Sequence, residues 1–274
     1  MLKSCKTSTR LNPALVCNMK NLLTLFLFLL AYSAFAQRTL FGGNNNYVAP
    51  VAPPVLVTNG LVLYLNANSY SGLGTNWSDL SGQNNTATLV GSPTYTASPA
   101  SFIFDANKHA TTTKNNISLT TATFIAWVNP SQTQGSYTGV IFNRRGNGGS
   151  TVNATGLDLY TNNSVGYHWN DAVVTYNWNS NLFVPNGVWS MIAITISANS
   201  ATAYLCNANG ISSASNSTSH STLTGLNFYI ACDPADKSTR AFVGKIATAM
   251  IYNTTLSGSD ITTIYNAEKA TFGL

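Results

Sequence analysis

In segment 189–196, Ile192, Ile194 and Ile196 fall on one side of the chain and Met191, Ala193 and Thr195 on the other. This is a period of two carried largely by β-branched residues, the pattern of a strand half-buried in a sandwich. The same pattern recurs from Asn59 onward. Short apolar segments at 61–65, 102–104, 123–128, 139–142, 156–160, 201–206, 227–231 and 242–252 alternate with clusters of Gly, Asn and Ser. Long helical periodicity is missing, so no crossover helices for a parallel sheet can be placed. The fold class that follows is all-β: a two-sheet antiparallel sandwich with one short C-terminal helix. That helix is predicted from Ser257, an N-cap whose capping box closes on Asp260, with Ile261 and Ile264 directed at the sandwich.

The N-terminus reads as a leader. Residues 22–30 (LLTLFLFLL) are apolar but too short to span a bilayer, Lys20 precedes them, and Ala34 and Ala36 give the small-x-small spacing of a cleavage site before Gln37. Residues 1–36 are therefore predicted to be a signal peptide, with Met19 as an alternative start. Residues 37–58, rich in Pro, Gly and Asn, form an extended linker, and 59–274 form the domain. A secreted or cell-surface protein, with no membrane span in the mature chain, is expected.

Processing removes the basic character. Four of the 13 Lys and Arg precede the cleavage site and all eight acidic residues follow it, leaving nine basic against eight acidic side chains, net +1. No basic patch argues for nucleic acid. Cys206 and Cys232 are the cysteines that remain, and two readings stand. One is a disulfide closing a loop of about 27 residues and contributing roughly 3 kcal/mol. The other is a pair of buried free thiols.

Several motifs occur in order along the chain. They are Gly60-Leu61-Val62-Leu63-Tyr64-Leu65-Asn66-Ala67, then Trp77-Ser78-Asp79-Leu80-Ser81-Gly82 with Asn85 as the last member or one residue off it. Phe102-Ile103-Phe104-Asp105 and Phe124 to Pro130 follow. The most specific motif is Phe242-Val243-Gly244-Lys245-Ile246, followed by Ile251-Tyr252-Asn253, Leu256-Ser257 and Ile261. In order and spacing these segments resemble the laminin-G-like (concanavalin A-like) jelly-roll domains of exported bacterial proteins, and the resemblance implies two antiparallel sheets packed face to face. It also implies a rim calcium site, for which Asp79, Asp105 and Asp233 are the candidates. The competing reading is that these aspartates make Asx turns and cap loops. Where relatives carry an Asp after Gly-Lys-Ile, this chain has Ala247.

Glycosidases of this fold need two carboxylates about 5 Å apart when retaining. The one Glu, Glu268, lies in the predicted C-terminal helix, and the aspartates are scattered along the chain, with Asp158 alone in mid-strand. No Gly-x-Ser-x-Gly elbow accompanies His109, His168 or His220, and no Cys-x-x-Cys spacing suggests zinc. The expectation from sequence is therefore a non-enzymatic, secreted binding module for carbohydrate or a cell-surface polymer. The alternative is a structural or adhesive subunit acting through a protein partner or self-association. Sugar contacts fall to Arg144, Tyr167, Trp169, Asn170, Tyr176 and Trp178, where aromatic rings and amides alternate. For any single ring a place in the core competes with this role.

Overall fold

A computed structural model describes residues 56–144 other than Asn115, and residues 154–274. The leader and most of the linker lie outside the described residues. In chain order the strands are β1 (Leu61–Asn66), β2 (Asn76–Trp77), β3 (Ala87–Val90), β4 (Thr94–Ala97), β5 (Ala100–Phe104), β6 (His109–Thr112), β7 (Ile117–Leu119), β8 (Ala122–Pro130) and β9 (Thr138–Asn143). They continue with β10 (Thr155–Leu159), β11 (Val165–His168), β12 (Ser190–Ile196), β13 (Ala201–Asn207), β14 (Gly210–Asn216), β15 (Leu223–Leu226), β16 (Tyr229–Ile230) and β17 (Gly244–Tyr252). Two helices matter here, the single turn α1 (Val173–Tyr176) and α2 (Gly258–Glu268).

The strands form an eight-stranded sheet, β14-β13-β12-β8-β17-β5-β4 with β1 beside β17, a seven-stranded sheet, β11-β10-β9-β16-β6-β3-β2, and a two-stranded one, β15-β7. All pairings are antiparallel. The register of β17 is interrupted between Ile246 and Thr248. Before the irregularity β17 pairs with β5, and after it with β1, so one strand edge serves two partners.

The sheets bury a common core between them, including Trp77, Phe102, Phe124, Ile192, Leu157 and Tyr167. A second apolar layer lies on the far side of the eight-stranded sheet. There Ile125, Trp127, Met191 and Ala193 meet Ile261, Ile264 and Tyr265 of α2. The capping box is present, with Ser257 Oγ accepting from Asp260 N at 3.2 Å and Ser257 N donating to Asp260 Oδ2 at 2.9 Å. The helix changes the expectation for 189–196. This strand is buried on both faces, because the side away from the core lies under α2.

The long helix α2 covers the eight-stranded sheet, while the outer face of the seven-stranded sheet carries the single turn α1 at its β11 edge. Alternation decides which residues it carries. In β10, Leu157 and Leu159 point into the core, so Asp158 points out. In β11, Val165 and Tyr167 point in, so Gly166 and His168 point out.

Candidate functional site

Asp158 and His168 lie on this outer face near its β11 edge. Their side chains lie diagonally across the β10–β11 pair, with Asp158 Oδ2 2.6 Å from His168 Nδ1. Both are buried. Burial pushes the Asp158 carboxyl above its ordinary range, and the imidazole pulls it back. Holding Nδ1 fixes the ring's orientation and leaves Nε2 as the nitrogen not engaged with Asp158.

Two tyrosines and a phenylalanine pack against the imidazole, and a third tyrosine, Tyr160, packs on one of them. Tyr176, at the end of α1, stacks on it at 5.3 Å and 23°. Tyr137 and Phe142 meet it edge-on at 5.6 and 4.9 Å. Tyr137 also touches Tyr160 and Tyr176, at 5.5 and 5.9 Å between centroids. Tyr137, Tyr160 and Tyr176 are all half-buried. Tyr137 is held at φ +65°, a left-handed conformation that a bulky residue rarely adopts and that surrounding structure must enforce. Its hydroxyl donates to Asn177 Oδ1 at 2.9 Å.

Beside the rings is a charged network. Arg144, at the end of β9, donates from Nε and Nη2 to the two oxygens of Asp233, both at 3.0 Å. Arg240 Nη1 donates to Asp233 Oδ2 at 2.8 Å, and Ala235 N donates to Oδ1 at 2.9 Å. Burial works to raise the Asp233 carboxyl. The bonds from Arg144, Ala235 and Arg240 overcome it and hold the carboxyl below its ordinary range. Arg144 Nη1 also lies 3.8 Å from Asp171 Oδ1.

The fold thus changes the reading of the acidic residues. Asp158, Asp171 and Asp233 are far apart along the chain, yet they share one site: Asp171 and Asp233 flank Arg144, and Asp158 feels the charge of Asp233.

Of the six sugar-contact residues expected from sequence, Arg144 and Tyr176 belong to this cluster. Tyr167 and Trp169 do not. Both are core residues, Tyr167 bonding His220 Nε2 at 3.1 Å and Trp169 Nε1 donating to Ser221 O at 2.8 Å. Trp178 is half-buried with its ring edge-on to Tyr167, and Asn170 lies in an exposed turn at φ +50°. The error was one of phase. In a period-two strand Tyr167 and His168 face opposite ways, and Tyr167 faces the core.

The calcium candidates are separated and occupied by other partners. Asp79 accepts from Tyr64 N, Ser81 N, Ser81 Oγ and Asn85 N at 2.7–3.0 Å. Asn85 in turn donates to Val62 O at 2.8 Å, so the tryptophan-to-asparagine motif pins its loop to β1. Asp105 pairs with Lys108 at 2.8 Å, and Asp233 carries two guanidinium groups, which repel a cation. Among the described residues no three His, Cys, Asp or Glu side chains gather to hold a metal. The disulfide reading is likewise corrected. Cys206 on β13 and Cys232 beside β16 belong to different sheets, and both are free and buried.

Residues 104–262 match a family model described as the concanavalin A-like lectin/glucanases superfamily. The chain belongs to this superfamily. Several solved structures share its fold. Domain 4 of AbnA, an extracellular GH43 arabinanase from Geobacillus stearothermophilus in complex with arabinotriose, is similar over 74% of this chain and 96% of that one. It has 16% identity and a TM-score of 0.54. Trypanosoma rangeli sialidase matches over 82% of this chain and 37% of that one, at 17% identity and a TM-score of 0.56. A GH54 α-L-arabinofuranosidase matches over 72% and 51%, at 11% identity and a TM-score of 0.52. This chain therefore spans about a third to a half of the latter two. No curated protein matches the sequence.

These neighbours correct the expectation of a non-enzymatic binding module or adhesive subunit. The structures sharing the superfamily fold come from glycosidases, so the fold gives no ground for excluding an enzyme. Folding brings Asp158, Asp171 and Asp233 to one site and leaves Asp79, Asp105, Asp260 and Glu268 away from it.

Proposed function

We propose that this chain is a carbohydrate-active protein that seats a glycan on the outer face of its seven-stranded sheet and acts on it through the Asp158–His168 pair. One observation carries the reading: a buried carboxyl–imidazole pair lies directly beneath half-exposed tyrosines on the large sheet face that α2 leaves uncovered. Tyrosine rings offer flat apolar faces to sugar C–H groups and hydroxyls to their edges. Asp158 orients the imidazole and stabilises its protonated form, and His168 moves the proton. Asp171, at the edge of the network, is the second carboxyl available to the reaction. Arg144 and Asp233 hold the end of β9 in place. The complex of the related domain with arabinotriose supports a glycan ligand, and the extracellular arabinanase supports secretion alongside the leader-like N-terminus.

The test is product release from arabinan, arabino-oligosaccharides and sialyllactose, followed by binding measurements on the same ligands. His168→Gln is expected to reduce turnover about 10²–10⁴-fold, the usual contribution of a positioned acid or base. Tyr176→Ala is expected to weaken ligand binding. Turnover unchanged in His168→Gln, or saturable binding with no turnover of any bound glycan, overturns the catalytic assignment.

A further inference from the structure

We propose that a pocket beside Glu268, on the sheet that α2 covers, binds a small monovalent cation of the sodium, potassium or ammonium class.

The pocket lies where the eight-stranded sheet forks. One edge of β17 pairs with β5 through Ile246 and Phe102, and with β1 from Thr248 and Asn66 onward. The irregularity between Ile246 and Thr248 separates the two partners. Asn66 ends β1 and Ala100 begins β5, and both line the pocket, as do Ala247 and Thr248 of the irregularity. Glu268 and Thr271 line it from the end of α2 and the turn that follows. Its volume is ≈ 20 Å³, enough for one occupant the size of a water. Asn68 and Thr271, both exposed, put its rim at the surface.

The carboxyl calls for positive charge. Glu268 Oε2 is buried without a hydrogen bond, Tyr64 donates to Oε1 at 3.3 Å, and the Trp127 indole lies beside the group. Among the described residues no Lys, Arg or His forms an ion pair with Glu268. Its titratable neighbours are Tyr64 and Tyr252, which bring no positive charge. A buried carboxylate without a counter-charge is costly, and a cation in the pocket offsets that cost. Neutral oxygens complete the lining. Asn66 Oδ1 accepts from Asn68 N at 2.9 Å and keeps a second lone pair, while Asn68, Thr248 and Thr271 bring one side-chain oxygen each. One carboxylate among neutral oxygens balances a single positive charge. Calcium sites draw on more, about six to eight oxygens with several carboxylates among them. The small volume excludes bulky quaternary ammonium ions.

The melting temperature of the protein is measured at about pH 8, above the value of about 7 to which burial pushes the Glu268 carboxyl. Chloride salts of sodium, potassium, ammonium, calcium and choline are compared at equal ionic strength, so that screening is constant. At least one of the sodium, potassium and ammonium salts is expected to raise the melting temperature by about 2 °C or more over choline chloride. Glu268→Gln should abolish the difference, and Thr248→Val should reduce it. In the wild type, the carboxyl carbon resonance of Glu268 should shift saturably with the same cation and hold its place in choline chloride. Equal melting temperatures in all five salts, a difference that persists in Glu268→Gln, or a resonance that no cation moves overturns the site. Stabilisation by calcium alone overturns the monovalent class.

Discussion

A β-carbon added to Gly166 would stand 2.5 Å from Oδ1 of Asp158. These two residues face each other directly across β10 and β11. The glycine is therefore what lets the carboxyl lie flat against the neighbouring strand and reach His168. Gly166→Ala is expected to push the Asp158 carboxyl off His168 and to cost about 1–3 kcal/mol, the usual range for overpacking. Chemical denaturation measures the cost, and the His168 imidazole resonances in NMR report the lost bond. A variant with unchanged stability and unchanged resonances would contradict this view of the pair.

The Arg144–Asp233 pair is buried and bidentate. Removing one partner strands the other, so Arg144→Ala is expected to destabilise the fold by about 3–5 kcal/mol. Replacing both residues with apolar side chains of similar volume should cost much less. A double-mutant cycle by denaturation checks the difference.

Glu268, at the end of α2, gives the fold a pH dependence. Its Oε2 is buried without a hydrogen bond, the Tyr64 hydroxyl donates to Oε1 at 3.3 Å, and the Trp127 indole lies beside the carboxyl. Burial pushes its carboxyl up to about 7 from an ordinary 4.5. The native state thus binds this proton more tightly than the unfolded chain. The stabilisation is complete below about pH 4.5 and is lost as pH rises through about 7, amounting to about 3 kcal/mol. Stability of the wild type relative to Glu268→Gln should fall across that window and level off above it. A difference independent of pH would contradict the assignment.

Because Cys206 and Cys232 are free, the melting temperature should be the same with and without reductant. Burial pushes both thiols up to about 12, so neither should react with a thiol reagent until the protein unfolds. Protection lost on adding reductant would contradict this.

The architecture was legible because β-branched alternation and a capping box are local signals. β12, β17 and α2 stand where those patterns put them. β14 (GISSASN) was invisible, since an exposed edge strand of serines has no apolar face to read. The site was less legible. The sequence shows Asp158 as the mid-strand acid, but its partner lies on the next strand, and only the β10–β11 register pairs them. Tyr137 sits in a turn, and Arg240 in a loop, where no period indicates a direction. Whether a ring in 165–169 faces core or ligand depends on a phase fixed by the second sheet behind it.

In the function proposed above, Asp158 and His168 work on a glycan as one acid–base unit. The direct measurement compares turnover of a cleaved glycan by wild type, His168→Gln, Asp158→Asn and the double variant, each confirmed folded by its melting temperature. Residues acting as a unit are strongly non-additive, so the double variant should be no slower than the more impaired single one. Losses that multiply in the double variant, or single variants with wild-type rates, would contradict it.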